Sequence, residues 1–220
     1  MKSLLPLLTL SVVTCATALP VVAQELKGDV QAGAKKVAMC IGCHGIAGYQ
    51  ASFPEIYRVP KIAGQGARYI GNALVAYQKG ERKHPTMRGI AASLNAQDIA
   101  DLSTYYESLA KAVPAPAPAG APGDASVAAL LAKGGCVSCH GDNFSKPVDP
   151  SYPRIAGQHG DYLFVALKSY KTEGNNVWGR GNPIMGGIAK QFNNAELKQL
   201  ASYVASLPGQ VQTVPQPAFR

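Results

Sequence analysis

The chain carries the stretch Cys40-Ile41-Gly42-Cys43-His44 and, 96 residues later, repeats its pattern as Cys136-Val137-Ser138-Cys139-His140. Each stretch has the form Cys-x-x-Cys-His, which is the attachment motif of c-type haem. On a helical turn the two sulfurs share a face because they lie three residues apart, so each can form a thioether with a haem vinyl group. The histidine that follows is then the predicted proximal ligand of the iron. Two such motifs predict two haem sites.

Other chemistry can also use closely spaced cysteines. A thioredoxin-like redox pair and half of a zinc site are the alternatives for each pair, and neither explains why a histidine follows both pairs. Two disulfides among the four motif cysteines are a further alternative if the protein is exported, but the repeated spacing argues against it. Covalent haem attachment is the interpretation that accounts for the whole motif.

The two halves of the chain resemble each other well beyond the cysteines. Pro60-Lys61-Ile62-Ala63-Gly64-Gln65 returns 93 residues later as Pro153-Arg154-Ile155-Ala156-Gly157-Gln158. Pro85-Thr86-Met87 returns 98 residues later as Pro183-Ile184-Met185, so the second copy holds five extra residues. This repeat predicts two homologous domains, at residues 24–112 and 124–220. Alanine and proline dominate residues 113–123, which we interpret as an extended linker.

The first residues have the pattern of a secretory signal peptide. Lys2 precedes an apolar run at residues 4–19, and small residues end at Ala23. The apolar run is too short, and too broken by prolines, to predict a membrane span; an uncleaved anchor is the alternative. We expect residues 1–23 to be removed and the product to be exported to the periplasm.

Composition excludes two broad classes of protein. The 220 residues are 47% hydrophobic and 15% charged, which is too apolar for a disordered chain and too interrupted for a polytopic membrane protein. The formal net charge is +8, and the basic excess is spread over both halves. This charge makes an acidic partner or surface plausible and says nothing about the fold.

Helical periodicity occurs at three places in each half, and no segment alternates like a strand. The first helix is predicted to begin at an acidic cap, Asp29 or Asp124, and to run into the haem motif. The second has an apolar face in each copy: Ile70, Ala73, Leu74 and Tyr77, then Leu163, Ala166, Leu167 and Tyr170. The third opens with a capping box in each copy, formed by Asn95 and Asp98 and by Asn193 and Glu196. The predicted fold class is all-α.

Methionine is the best candidate for the second axial ligand of each iron. The chain has four methionines; Met1 leaves with the signal peptide, and Met39 is held beside Cys40 on the proximal side. Met87 and Met185 remain, one in each domain, in glycine-containing loops before the third helix. Thioether ligation favours ferrous iron and raises the reduction potential. Iron with both axial positions filled has no vacancy for a substrate, which favours electron transfer over catalysis.

Several other polar and aromatic residues have a less defined role. His84 and His159 have no repeat partner and are interpreted as surface histidines. Trp178 lies in the five-residue insertion and is a candidate neighbour of the second haem. Three basic residues are candidate partners of the haem propionates but are interpreted as solvent-exposed: Arg58, Lys61 and Arg154.

These motifs together resemble the di-haem cytochromes c4 of bacteria, over roughly Gly28 to Leu207. The resemblance is carried by two Cys-x-x-Cys-His motifs, each followed by Pro-x-Ile-Ala-Gly-Gln and later by Pro-x-Met-x-Gly-Ile-Ala. It implies two tandem class I cytochrome c domains with about three helices each around a covalently bound haem c. The positions that match the family's two haem sites are Cys40, Cys43, His44 and Met87, and Cys136, Cys139, His140 and Met185.

The resemblance also implies a role. A protein of this kind carries electrons in the periplasm from a quinol-oxidising complex to a terminal oxidase, and is not an enzyme. The alternatives are the cytochrome subunit of a periplasmic flavin- or quinone-dependent dehydrogenase, and a di-haem peroxidase, which would need one open iron site. We expect a monomer that binds redox proteins and no nucleic acid, and that either diffuses freely or associates peripherally with the membrane.

Overall fold

The computed structural model describes residues 26–110 and 124–215, so the predicted signal peptide (1–23) and linker (113–123) lie outside the described residues. The first domain contains α1 (Val30–Ala34), α2 (Ala38–His44), β1 (Gln50–Ala51), β2 (Tyr57–Arg58), α3 (Ala67–Lys79), β3 (Arg82–Lys83), α4 (Pro85–Ala92) and α5 (Ala96–Ser108). The second contains α6 (Ala125–Gly134), α7 (Cys136–His140), α8 (Gly160–Tyr170), β4 (Gly179–Arg180), α9 (Pro183–Ala189) and α10 (Asn194–Ser206). No helix within these two ranges is long and apolar enough to cross a membrane.

The helical architecture is confirmed, but each domain has five helices in its described residues rather than about three. Asp29 and Asp124 cap the first helices as predicted. These helices do not run into the haem motifs, because the chain turns between α1 and α2 and again at Gly135. Gly135 adopts a left-handed φ of 58°, which favours glycine and separates α6 from α7.

Four strands of two residues each were not predicted. They are too short to produce a visible alternation of polar and apolar residues. β1 and β2 form an antiparallel pair inside the first domain. β3 and β4 pair antiparallel across the domain boundary, with Arg82 opposite Arg180. The second pair therefore joins the segments that lead into α4 and α9.

Each domain has its own apolar core, in which the C-terminal helix of the domain packs against two others. In the first domain α5 packs against α1 and α3, and in the second α10 packs against α6 and α8. The predicted capping boxes are present at the start of both helices. Contact between α1 and α5 is very close at Gly33, where an added Cβ atom would lie 2.3 Å from the carbonyl oxygen of Asp101. Only glycine fits there.

Asp101 is a buried carboxylate that ties α1 to α5. Its Oδ1 accepts a hydrogen bond from the backbone N–H of Asp29 at 2.8 Å, and its Oδ2 accepts from Lys36 Nζ at 2.7 Å. The Lys36 ammonium first, and then the Asp29 amide and the Gln97 side chain, lower the pKa of Asp101 to about 2. The corresponding position in the second domain is Gln199, so this anchor belongs to the first domain alone.

The lowered pKa predicts a specific acid sensitivity. An unfolded aspartate titrates near pH 3.9, so the contribution of Asp101 to stability is present above about pH 4 and is lost as the pH falls through about 2. We expect the difference in free energy of unfolding between wild type and Asp101→Asn to be constant above pH 4 and to shrink towards pH 2. Urea unfolding at several pH values measures it. Asp142→Asn, at an exposed position, is the control. If its difference in free energy of unfolding from wild type shrinks equally towards pH 2, the effect cannot be assigned to Asp101.

The interface between the domains contains a reciprocal exchange of hydrogen bonds. The buried Gln65 side chain accepts from the backbone N–H of Arg154 at 2.8 Å and donates to its carbonyl oxygen at 2.9 Å. Gln158 makes the same two bonds to the backbone of Lys61, at 2.9 Å and 2.8 Å. These residues are equivalent positions of the repeat, so the contact has local two-fold symmetry.

The three basic residues interpreted as solvent-exposed charge all bond across this interface. Arg58 forms an ion pair with Asp161 of the other domain at 2.9 Å. Arg154 donates to the carbonyl oxygen of Gly64 at 2.6 Å, and Lys61 Nζ donates to that of Gly157 at 2.6 Å. The interpretation was wrong for Lys61 and Arg154, which are half-buried, because pairing across two domains leaves no mark on a local sequence pattern. The Arg58 side chain is exposed, as predicted, although it forms the ion pair.

Removing either glutamine should weaken the domain interface. Gln65→Ala or Gln158→Ala deletes two hydrogen bonds and leaves a backbone N–H and a carbonyl unpaired, so we expect a loss of about 2–4 kcal/mol in the free energy of unfolding. Urea unfolding of the haem-loaded protein measures this loss. The exposed Gln191→Ala serves as the control and should cost less than about 0.5 kcal/mol. Equal losses in all three variants would contradict the role of the exchange.

Candidate functional site

One cavity of about 600 Å³ is lined by both Cys-x-x-Cys-His motifs. Most of its wall is apolar and comes from the faces of α3, α5, α8 and α10. All eight residues predicted from the motifs line it: Cys40, Cys43, His44, Met87, Cys136, Cys139, His140 and Met185. The thiols, the imidazole and the thioether that the sequence suggested for each domain thus all face one cavity.

The cysteines are free thiols on short helices. Cys40 and Cys43 lie on α2, Cys136 and Cys139 lie on α7, and none of the four forms a disulfide. Burial raises the pKa of the Cys40 and Cys136 thiols. Within residues 26–110 and 124–215, no group of three or more His, Cys, Asp or Glu side chains is arranged to hold a metal ion, so the half-zinc interpretation finds no additional ligands.

Each motif histidine is oriented by a backbone carbonyl. His44 Nδ1–H donates to the carbonyl oxygen of Pro60 at 2.8 Å, and His140 Nδ1–H donates to that of Pro153 at 3.2 Å. This bond places the proton on Nδ1 and leaves Nε2 as a lone-pair donor for a metal. Burial lowers the pKa of both imidazoles, which keeps them neutral. Neutral imidazole with a fixed tautomer is the form that ligates iron.

The two methionines lie on helices, whereas the sequence analysis had predicted that they lie in loops. Met87 is the third residue of α4 and Met185 the third residue of α9, and a proline begins each helix. His84 Nδ1 accepts from the Met87 N–H at 3.4 Å, and Asn182 Oδ1 accepts from the Met185 N–H at 2.9 Å. The prediction missed these helices because glycines follow both methionines. The N-caps hold the thioether-bearing residues in defined positions.

A cluster of arginines and tyrosines lines the same cavity at the domain boundary. Arg82 donates from Nη1 to the Tyr69 hydroxyl at 3.2 Å and from Nη2 to the Tyr162 hydroxyl at 3.0 Å. Arg180 donates from Nη2 to the same Tyr162 hydroxyl at 3.1 Å and from Nη1 to Tyr170 at 3.4 Å. We call Arg82 and Arg180 the arginine pair. Sequence reasoning missed it, although the pair shares the 98-residue offset of the two methionines.

The sequence model described as Cytochrome c matches residues 30–110 and 125–208. A cytochrome c4 of Azotobacter vinelandii is 32% identical over 197 residues, which cover 82% of this chain and 90% of that protein. The chain belongs to the di-haem cytochrome c4 family. Reduced recombinant cytochrome c4 from Pseudomonas stutzeri has a similar structure, with a TM-score of 0.59 and 29% sequence identity, over 82% of this chain and 100% of that chain.

Similarity also extends to a protein named for a partner enzyme. A thiosulfate dehydrogenase electron acceptor from Thiomonas intermedia (strain K12) is 30% identical over 184 residues, covering 79% of this chain and 80% of that protein.

Membership of the cytochrome c4 family means that this chain is a di-haem electron carrier with two tandem cytochrome c domains and two covalently bound haem c groups.

The cavity of this cytochrome c4 family member fits those two groups. Its apolar wall suits the porphyrin faces, its free thiols suit the vinyl groups, and its neutral imidazoles suit the iron. Arg82 Nε is buried without a hydrogen-bond partner in the described residues, which suits an incoming anion such as a propionate. Trp178 also lines this cavity.

Neither of the two unrepeated histidines is an ordinary surface residue. His84 caps α4, and its Nε2–H donates to the Tyr57 hydroxyl at 3.1 Å. His159 is half-buried at the start of α8, where burial, and then the charges of Lys61 and Arg58, lower its pKa to about 4. The lack of a repeated histidine was a poor reason to interpret His84 as a surface residue, because Asn182 at the equivalent position caps α9 as His84 caps α4.

Proposed function

We propose that this di-haem cytochrome carries electrons in the periplasm, one per haem, from a quinol-oxidising complex to a terminal oxidase. One observation supports this above the others: each domain presents both a neutral histidine and a capped methionine to the cavity. A site with both axial positions filled exchanges electrons without binding a substrate, so we propose that the protein is not an enzyme.

We propose the following roles for the residues in the cavity. The four cysteines hold the two groups covalently, Cys40 and Cys43 in one domain and Cys136 and Cys139 in the other. His44 and His140 are the proximal ligands, oriented by the carbonyl bonds described above. Met87 and Met185 fill the remaining axial positions. When bound, haem c supplies an iron that cycles between its ferric and ferrous states, and the protein excludes water and holds the ligands.

We also propose that residues 1–23 are cleaved on export and that residues 113–123 link the domains at 24–112 and 124–220. Cleavage would leave 20 Lys and Arg against 13 Asp and Glu. The mass of the protein purified from the periplasm tests this proposal, which predicts Gln24 as the first residue. A mass that includes residues 1–23 would contradict it.

The charge of the protein predicts how it meets its partners. Basic residues in both domains favour association with acidic patches, and such association weakens with salt. We expect the second-order rate of oxidation of the reduced protein by oxidase-containing membranes to fall about tenfold between low and physiological ionic strength. Stopped-flow absorbance measures this rate. Peroxide-dependent turnover by the purified protein would contradict the carrier role.

A second function is favoured by the thiosulfate dehydrogenase electron acceptor among the relatives. In that role the chain accepts electrons directly from a periplasmic dehydrogenase as its cytochrome subunit. Co-purification from cells separates the two functions. A stable complex with a dehydrogenase supports the subunit role, and recovery of the cytochrome alone together with oxidation by the membranes supports the shuttle.

A further inference from the structure

The arginine pair concentrates positive charge at the domain boundary. Arg82 and Arg180 are directly opposed on β3 and β4. In the parts of the chain that the structure describes, no ion pair joins either guanidinium to an aspartate or a glutamate. Their hydrogen-bond acceptors are phenolic hydroxyls instead. Two adjacent like charges in a poorly solvated place repel each other, so the arrangement favours a counter-charge.

The hydrogen bonds and the pKa of Tyr162 reflect this excess of positive charge. Its hydroxyl accepts hydrogen bonds from both guanidiniums, at 3.0 Å and 3.1 Å. Burial alone would raise the pKa of this phenol, but the charges of Arg180 and Arg82 outweigh burial and lower the pKa. The cluster therefore favours negative charge at the point where the domains meet. The unpartnered Nε of Arg82 leaves a donor available for that charge.

We infer that Arg82 and Arg180 form one anion site that is shared by the propionates of both haems and couples their reduction potentials. The inference rests on the proposed placement of the haems in the cavity. Guanidinium forks match carboxylates bidentately, and the pair lines the same cavity as both haem motifs. Because each arginine bonds to Tyr162 and faces the other arginine, neither belongs to a single haem.

The coupling has a measurable consequence. Reduction adds one negative charge at the iron, so a nearby buried cation favours the ferrous state and raises the potential. Removing a guanidinium that interacts with both haems lowers both reduction potentials. Removing one that interacts with a single haem lowers only the potential of that haem. In Arg82→Gln and in Arg180→Gln we expect both midpoint potentials to fall, each by about a tenfold change in the ferric–ferrous equilibrium, which corresponds to about 59 mV.

Redox titration of the protein with both haems attached tests this inference. The control Arg88→Gln removes an exposed guanidinium one residue from Met87, and should move neither midpoint appreciably. Arg82→Lys and Arg180→Lys keep the charge but lose the fork, so both midpoints should fall by less than half as much. These two variants replace the glutamine variants if the latter lose haem.

A fall in only one midpoint, or shifts no larger than in Arg88→Gln, would overturn the shared site. Haem content and the methionine-to-iron absorption band are measured on the same samples. If the haem content and the absorption band are unchanged in the variants while the potentials fail to shift, the inference is wrong and the proposed haem placement stands. If the wild-type protein lacks two haems or that band, the proposed placement itself is wrong.

Discussion

Met87→Ala and Met185→Ala should each remove about half of the near-infrared band that arises from charge transfer between a thioether and ferric iron. If both methionines ligate iron as proposed, each variant loses one of two such bonds, because Met87 and Met185 occupy equivalent positions on α4 and α9. The double variant should lose the whole band. Absorption spectra of the fully oxidised protein, normalised to haem content, measure the effect.

Met39→Ala is the matched control for this experiment. Met39 also lines the cavity, but it precedes Cys40 on α2, and its side chain is about half exposed. We expect its variant to keep the full band. A band that is unchanged in both Met87→Ala and Met185→Ala would remove methionine as the axial ligand, and a loss in Met39→Ala would show that the band reports general disturbance of the site.

Removing the thiols of one motif should unfold one domain. The double variant Cys40→Ser/Cys43→Ser cannot attach the first haem covalently, so the apolar wall of the cavity in that domain would face water. A domain of this size buries little apolar surface by itself, and a typical domain is stable by only about 5–15 kcal/mol. The first domain should therefore not fold without its haem.

Two measurements check this outcome. The haem-to-protein ratio should fall from two to one, and hydrogen exchange should become fast across α1–α5 while α6–α10 remain slower. The mirror variant Cys136→Ser/Cys139→Ser should give the reverse pattern, which separates a local effect from general misfolding. Protection of α1–α5 in the first variant would show that the haem contributes little to the folding of its domain.

Short-range patterns were the features that the sequence predicted well. The Cys-x-x-Cys-His motifs and the capping boxes at Asn95 and Asn193 depend on contacts within four residues, so their spacing is visible in the sequence. The all-α class was predicted from the helical spacing of apolar residues, and the repeat from matching segments at nearly constant offsets. The break between α6 and α7 was missed because it depends on the backbone conformation of one residue, Gly135.

Long-range contacts could not be predicted from these patterns. Gln65 was visible as part of a repeated segment, but its partner is the backbone of Arg154, 89 residues away. The arginine pair was hidden for a related reason. Arg82 and Arg180 become neighbours only when β3 pairs with β4, and two-residue strands have no sequence signature. The sequence therefore predicted the side chains that line the cavity and not the contacts between the two domains.

The exchange between Gln65 and Gln158 gives each half of the molecule a self-complementary surface. One half supplies a glutamine and also the backbone that the equivalent glutamine requires, as in an isologous homodimer. Because the acceptors and donors on the other side are main-chain atoms, lysine at position 61 and arginine at position 154 serve equally well. Duplication of a single-domain ancestor therefore needs no new interface, and covalent tethering raises the effective concentration of one copy at the other.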